Sequence, residues 1–343
     1  MRRLSLKNEE GGFPQSCLDN STSGGQMKRA ALSVLLTFAS TQSGYSQLPR
    51  QAPDTSVHVL KFVSIEPGVK LEVLDFGGSG PAMIFLSALG SDAHDWDRFA
   101  PKVTNRYHAY AITRRGFGAS DKPAPTDENY SADKLGDDVL AVMRTLKLER
   151  PVLVGWSLGG EELSSVGSRF PAKVRALIYL DAGYPYAFYN RAAGEPLQDR
   201  AELRRLLTQA AHENPPSLEL QRKLLASMTQ NEAELREGIA SDEKSDKVMP
   251  VPPPGMPPEP PQMIAIKTNP VKYTNIPVPI LAIFATQRDS TAHEEWREKQ
   301  IKSFEQGVPS AHVVRIPHAG HDVFNTNEQD VLREMTAFLD GIQ

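Results

Sequence analysis

The chain has 343 residues, 40% of them hydrophobic and 23% charged, with a formal net charge of -4 and a pI near 6.1. That is enough apolar material for a full globular core, and it carries no long basic run, which excludes a nucleic-acid footprint. The single cysteine, Cys17, precedes everything that reads as folded, which excludes a disulfide framework, a thiolate metal site or a cysteine nucleophile.

Residues 1–26 are polar, rich in glycine and serine and aperiodic, as in a disordered tail or an over-extended start. Met27-Lys-Arg29 then supplies a basic segment, Ala30 to Ala39 an apolar run, and Gly44-Tyr-Ser46 small residues where a signal peptidase could cut. Residues 27–46 are therefore expected to be an export signal starting at Met27, and the protein to be periplasmic or secreted. The apolar run is about half of the roughly 20 residues a membrane-spanning helix needs, so no permanent membrane anchor is expected.

From Ser56 the pattern predicts strands over Val57–Ile65, Val69–Phe76 and Ala82–Leu86, parted by Pro67-Gly68 and a Gly77–Pro81 turn. The first two suit an antiparallel hairpin, and the continuously apolar third belongs inside a sheet. Gly77-Gly-Ser-Gly80 lacks the Gly-Lys-Ser/Thr ending of a phosphate loop. A short helix is predicted around Trp96–Val103, a strand over Tyr107–Ile112, and a helix over Tyr130–Leu146 with Leu135, Val139, Val142 and Leu146 on one face. Val152–Val154 is the next buried strand, a helix runs from Leu158 to about Phe170, and Val174–Leu180 is a strand ending at Asp181.

The alternation then stops. Residues 184–275 read as a cap or lid insertion: Tyr184, Tyr186, Phe188 and Tyr189 open it, charged helical stretches fill 198–245, and eight prolines crowd into 250–261. Strand and helix return with Pro279–Thr286, Ala292–Phe304, His312–Ile316 and Glu328–Leu339. Together these predict an α/β fold, a doubly wound, mostly parallel eight-stranded sheet with a helical cap insertion; residues 47–183 and 276–343 form its core.

The chemistry centres on Pro151-Val-Leu-Val-Gly-Trp-Ser-Leu-Gly-Gly160, which passes from a buried strand through a glycine-bracketed serine into a helix. Gly155 and Gly159 flank Ser157 where side chains would collide if the backbone turned sharply enough to expose the hydroxyl, as in a G-x-S-x-G nucleophile elbow. A serine hydroxyl is a poor nucleophile at neutral pH, so Ser157 needs a base and the base needs an acceptor that fixes its tautomer. His321, in His318-Ala-Gly-His-Asp-Val-Phe324, supplies the base, with His318 as a lesser alternative. Asp289, just after the strand ending at Thr286, is the expected acid by order and placement; Asp181, at the end of the preceding core strand, is the rival.

On these residues the chain resembles the α/β-hydrolase superfamily over essentially all of 57–342. The Gly-Trp-Ser-Leu-Gly-Gly elbow, Arg115-Gly-Phe-Gly-Ala-Ser120, the acid after the seventh core strand and the Ala-Gly-His-Asp ending match it in order. Two departures stand out: Ser87-Ala88 replaces the His-Gly pair common after the third strand, and Thr113 stands where the family usually has an aspartate before Arg115. The oxyanion hole is assigned to the backbone N–H groups of Leu158 and Leu89. Trp156, Phe117, Tyr184 and Tyr186 are candidate pocket residues, with core packing as the alternative.

The resemblance implies a serine hydrolase acting on a small-molecule carboxylic ester through an acyl-enzyme, with no cofactor. Carbon-carbon bond, lactone or amide hydrolysis and acyl transfer use the same triad, and a non-catalytic ligand receptor is the alternative from another class. No metal is expected either, since His293-Glu-Glu-Trp-Arg297 has Arg297 where a zinc-protease helix needs its second histidine.

Overall fold

The computed structural model describes residues 58–184, 186–188, 190, 195–244, 258–269, 273, 275–287 and 291–342. The expected export signal and most of the proline-rich segment lie outside the described residues, as does Asp289. Among the described residues no helix is long and apolar enough to cross a membrane.

Eight strands form one sheet: β1 (Val59–Glu66), β2 (Val69–Gly77), β3 (Ala82–Leu86), β4 (His108–Ile112), β5 (Val152–Trp156), β6 (Ala176–Leu180), β7 (Ile280–Thr286) and β8 (Ala311–Pro317). Their order is β1-β2-β4-β3-β5-β6-β7-β8. β1 pairs antiparallel with β2 and β2 with β4; every other pair is parallel. The chain reverses its direction of travel across the sheet between β4 and β5, on either side of β3, and in such sheets ligands bind beyond the carboxyl ends of the strands at that reversal.

The central strands are apolar without interruption because both of their faces are covered. In β3, Ile84 joins a core layer with Tyr110, Leu153, Leu163, Tyr179 and Phe304, while Met83 and Phe85 join the opposite layer with Trp96, Phe99, Ile178 and Phe324. The crossover helices α1 (Ala132–Thr145) and α2 (Gly159–Arg169) supply the first layer through Val139, Val142, Leu163 and Val166. Ser131 caps α1, its hydroxyl accepting from the Lys134 N–H, so the helix begins after Tyr130 rather than at it. The helix expected near Trp96 is two short 3-10 turns, Ala93–Trp96 and Ala100–Val103. The Asp92 carboxylate caps the first of them, and Pro101, which has no N–H to donate, lies in the opening positions of the second.

Between β6 and β7 lie α3 (Pro196–His212), α4 (Leu218–Lys244) and α5 (Pro261–Lys267). α3 and α4 form a hairpin tied by the Asn231 amide donating to the Asp199 carbonyl. α5 lies against the sheet end, where Met263 and Ile266 pack with Leu158, Phe117 and Leu89. After β7 come α6 (Thr291–Gly307), the one-turn α7 (Val323–Thr326) and α8 (Glu328–Gly341).

Candidate active site

Ser157 stands at the junction of β5 and α2 with φ at +51°, in the left-handed region that non-glycine residues rarely occupy. The neighbouring glycines explain how so tight a turn fits. A Cβ on Gly155 would lie 2.6 Å from the Gly159 carbonyl carbon, and one on Gly159 would lie 2.5 Å from the Leu86 carbonyl oxygen. Only hydrogen fits at either position, which is the steric role read from the motif.

Parallel pairing then sets what stands beside the serine. Trp156 pairs with Leu180 and Leu180 with Ile283, so Asp181 is the first residue past β6 just as Ser157 is the first past β5. The Ser157 N–H donates to the Leu180 carbonyl and the Asp181 N–H to that of Ile283, the latter at 2.7 Å. Asp181 is itself at φ +48°, and its side chain is 5% exposed. Its Oδ1 accepts the Ala285 N–H at 3.1 Å, and its Oδ2 lies 2.7 Å from His321 Nδ1. Asp181, the rival in the sequence, is therefore a carboxylate on this imidazole, while Asp289 lies outside the described residues.

His321 lies in the loop between β8 and α7. That loop is held by the Gly320 N–H donating to Thr326 Oγ1 at 2.9 Å and by Trp156 Nε1 donating to the His321 carbonyl at 2.8 Å. Trp156, a candidate pocket residue, therefore anchors the histidine loop, its ring 5.6 Å from the imidazole and edge-on to Phe324. His318 is exposed, with its N–H bonded to the Thr286 carbonyl, so the chain turns there before reaching His321.

Ser157, Asp181 and His321 open on a cavity of about 290 Å³ that Tyr184, Tyr186 and Arg297 also line. The Tyr184 hydroxyl donates to the Asn190 carbonyl. Burial pushes the Tyr186 phenol up, with the Ser157 hydroxyl beside it, so Tyr186 presents a neutral O–H at the serine. Phe117, for which the pocket and core packing were both open, packs into the apolar cluster of Leu158 and Met263.

Arg114 is a residue the sequence did not single out. Its buried guanidinium makes a two-pronged pair with Glu162 of α2 at 2.5 and 2.8 Å, and its other N–H groups donate to the carbonyls of Ala88 at 3.1 Å and Ser87 at 2.8 Å. The peptide between Ala88 and Leu89 is planar and trans, so holding the carbonyl on one side turns the Leu89 N–H to the other. Arg114 thus ties the loop carrying Leu89 to the helix that Leu158 directly precedes. Thr113 replaces the usual aspartate with a hydroxyl that donates to Glu72 Oε2 at 2.6 Å and accepts the Ala93 N–H at 2.9 Å. Side chains able to hold a metal gather at His58, His94 and Asp97, outside the cavity.

A family model described as the alpha/beta hydrolase family matches residues 83–334. A fluoroacetate dehalogenase from Burkholderia sp is 37% identical over 116 residues, 33% of this chain and 38% of that protein. A 2-(acetamidomethylene)succinate hydrolase from Mesorhizobium japonicum is 32% identical over 104 residues, 30% of this chain and 36% of that protein. The matched stretches thus span little more than a third of either relative. The crystal structure of E-2-(acetamidomethylene)succinate hydrolase superposes with a TM-score of 0.55 at 21% identity, covering 82% of this chain and 99% of that one, a likeness of fold. With the elbow, the eight-stranded sheet and a family model spanning more than half of its residues, the chain belongs to the alpha/beta hydrolase family.

Proposed function

We propose that this protein is a serine hydrolase that cleaves small carboxylic esters through an acyl-enzyme. Ser157 is the nucleophile, His321 the general base and then acid, and Asp181 the carboxylate that orients the imidazole. The observation that carries this reading is the 2.7 Å hydrogen bond between His321 Nδ1 and Asp181 Oδ2, beside a serine held at positive φ. With Nδ1–H donated to Asp181, Nε2 keeps the lone pair that takes the Ser157 proton. The serine oxygen bonds to the carbonyl carbon, the ester C–O bond breaks, and the alcohol leaves with the proton from Nε2. Water then gives a proton to Nε2 and its oxygen to the acyl carbon, releasing the acid and restoring Ser157.

The hydroxyl at position 157 favours acyl chemistry over the reaction named for the dehalogenase relative. Displacing a halide from saturated carbon with serine would leave an ether, which has no carbonyl for water to attack. An acyl ester has one. A cavity of about 290 Å³ suits a small substrate, so short acyl chains are expected to react best. The test is to label the purified chain with a fluorophosphonate probe, locate the adduct by mass spectrometry, and assay p-nitrophenyl esters of rising chain length. We expect the adduct on Ser157 and the highest kcat/KM for the shortest acyl groups. Labelling that survives Ser157→Ala overturns the nucleophile, and a probe-reactive protein that turns over no ester overturns the substrate class.

The negative oxygen of the tetrahedral intermediate falls to the N–H groups of Leu158, at the positive end of α2, and Leu89. Arg114 acts on this step through the Ala88 carbonyl, as a positioning residue. Replacing Arg114 and Glu162 together by methionine removes both charges, so that neither is left alone in the interior. The double variant is expected to lose about 100-fold in kcat, the scale set by one misplaced oxyanion donor, with KM held within about twofold. Steady-state kinetics on an activated ester check this, and an unchanged kcat would leave Arg114 with a packing role alone.

A further inference from the structure

We propose that His58, His94 and Asp97 form a binding site for one divalent transition-metal ion of the zinc type, apart from the catalytic cavity. His58 directly precedes β1; His94 lies in the 3-10 turn after β3, and Asp97 follows that turn. One ligand atom from each lies within 4.8 Å of the other two. Asp97 Oδ2 is 3.0 Å from His94 Nδ1, and Asp97 Oδ1 is 3.2 Å from His58 Nδ1. Two ligands bound tetrahedrally to zinc at ordinary bond lengths are about 3.4 Å apart, so an ion needs only small shifts to sit among the three.

The surroundings match what such an ion requires. The His58, His94 and Asp97 side chains are 5%, 17% and 23% exposed, which shields the site while leaving one side for a water as fourth ligand. Asp97 Oδ1 is buried, 3.2 Å from His58 Nδ1, and accepts no hydrogen bond among the described residues. The other ring nitrogen of His94, Nε2, lies 3.7 Å from Glu72 Oε1, and Glu72 is in turn fixed by the Thr113 hydroxyl. A carboxylate behind a metal-binding imidazole is the usual means of setting its tautomer and raising its basicity. Two imidazoles with one carboxylate suit zinc and its neighbours, whereas calcium and magnesium take oxygen ligands.

An ion here would clip the start of β1 to the turn that follows the Leu89 loop.

The experiment uses the full chain, stripped with a chelator and titrated with zinc chloride by calorimetry. Cobalt(II) follows as a spectroscopic probe. We expect one zinc per chain and the visible bands of four-coordinate cobalt. His58→Gln and Asp97→Asn should each weaken zinc at least about tenfold, while exposed His212→Gln should leave it unchanged. No binding at micromolar zinc overturns the proposal, as does binding that His58→Gln leaves intact. Should Asp97→Asn fail to fold, His58→Gln decides the matter, since it removes one ligand from the residue ahead of β1.

Discussion

Asp181→Asn is expected to lower kcat for an activated ester by about 10,000-fold while leaving the fold intact. The size follows from where the two carboxylate oxygens point. Oδ1 accepts the Ala285 N–H, and Oδ2 faces His321 Nδ1. An asparagine must keep its carbonyl oxygen toward Ala285, because the reverse would set an amide NH2 against a backbone N–H. Its NH2 then donates to His321 Nδ1, the imidazole shifts its proton to Nε2, and the nitrogen that should accept from Ser157 becomes a donor. Asp289→Asn, measured beside it, should change kcat by no more than about twofold, since no step of this mechanism passes through it. If the large loss appeared at Asp289 and not at Asp181, the acid would be the one that chain order suggested. Far-UV circular dichroism on both variants separates lost chemistry from lost structure.

Asp181 and Asp289 expose the limit of reading along the chain. The elbow was legible because its constraint is local: a strand, a glycine two residues before the serine, a glycine two after it, and a helix. The central strands were legible because burial on both faces writes itself as unbroken apolar runs such as Ala82–Leu86. The carboxylate that meets the His321 imidazole was not legible in that way. Both aspartates follow core strands, and the choice rests on which strand end lies beside the histidine loop. That depends on the pairing of Leu180 with Trp156 on one side and Ile283 on the other, and on the reach of a loop two strands away. Periodicity carries neither.

Trp156, Phe117 and Arg114 meet the same limit. Aromatic residues near a nucleophile suggest a pocket, but the Trp156 indole is spent on the His321 carbonyl and Phe117 on an apolar cluster under α5. Arg114 looks like one of two adjacent arginines in a loop, and its partner Glu162 is 48 positions away on another helix. The His58, His94 and Asp97 cluster has no spacing signature, because the residue ahead of an edge strand meets a turn that lies beyond two further strands.

Ser157→Ala and Ser157→Gly are both expected to lower kcat by about a million-fold, the scale of losing the nucleophile from a working triad. They should part on stability. At φ +51° a side chain with a Cβ costs roughly 1 kcal/mol or more, and alanine keeps that cost while glycine removes it. Against this, glycine loses more freedom on folding, by about 0.5–1 kcal/mol. At an ordinary position only the second effect operates, and glycine is the weaker choice. At Ser157 the two nearly cancel, so Ser157→Gly should be at least as stable as Ser157→Ala in urea unfolding, with both midpoints read at the same slope. A glycine variant about 1 kcal/mol less stable than the alanine one would mean that the turn holds no strain. The expected equality would mean that the fold gives up stability at this residue to keep a hydroxyl turned toward the cavity that His321 and Asp181 also line.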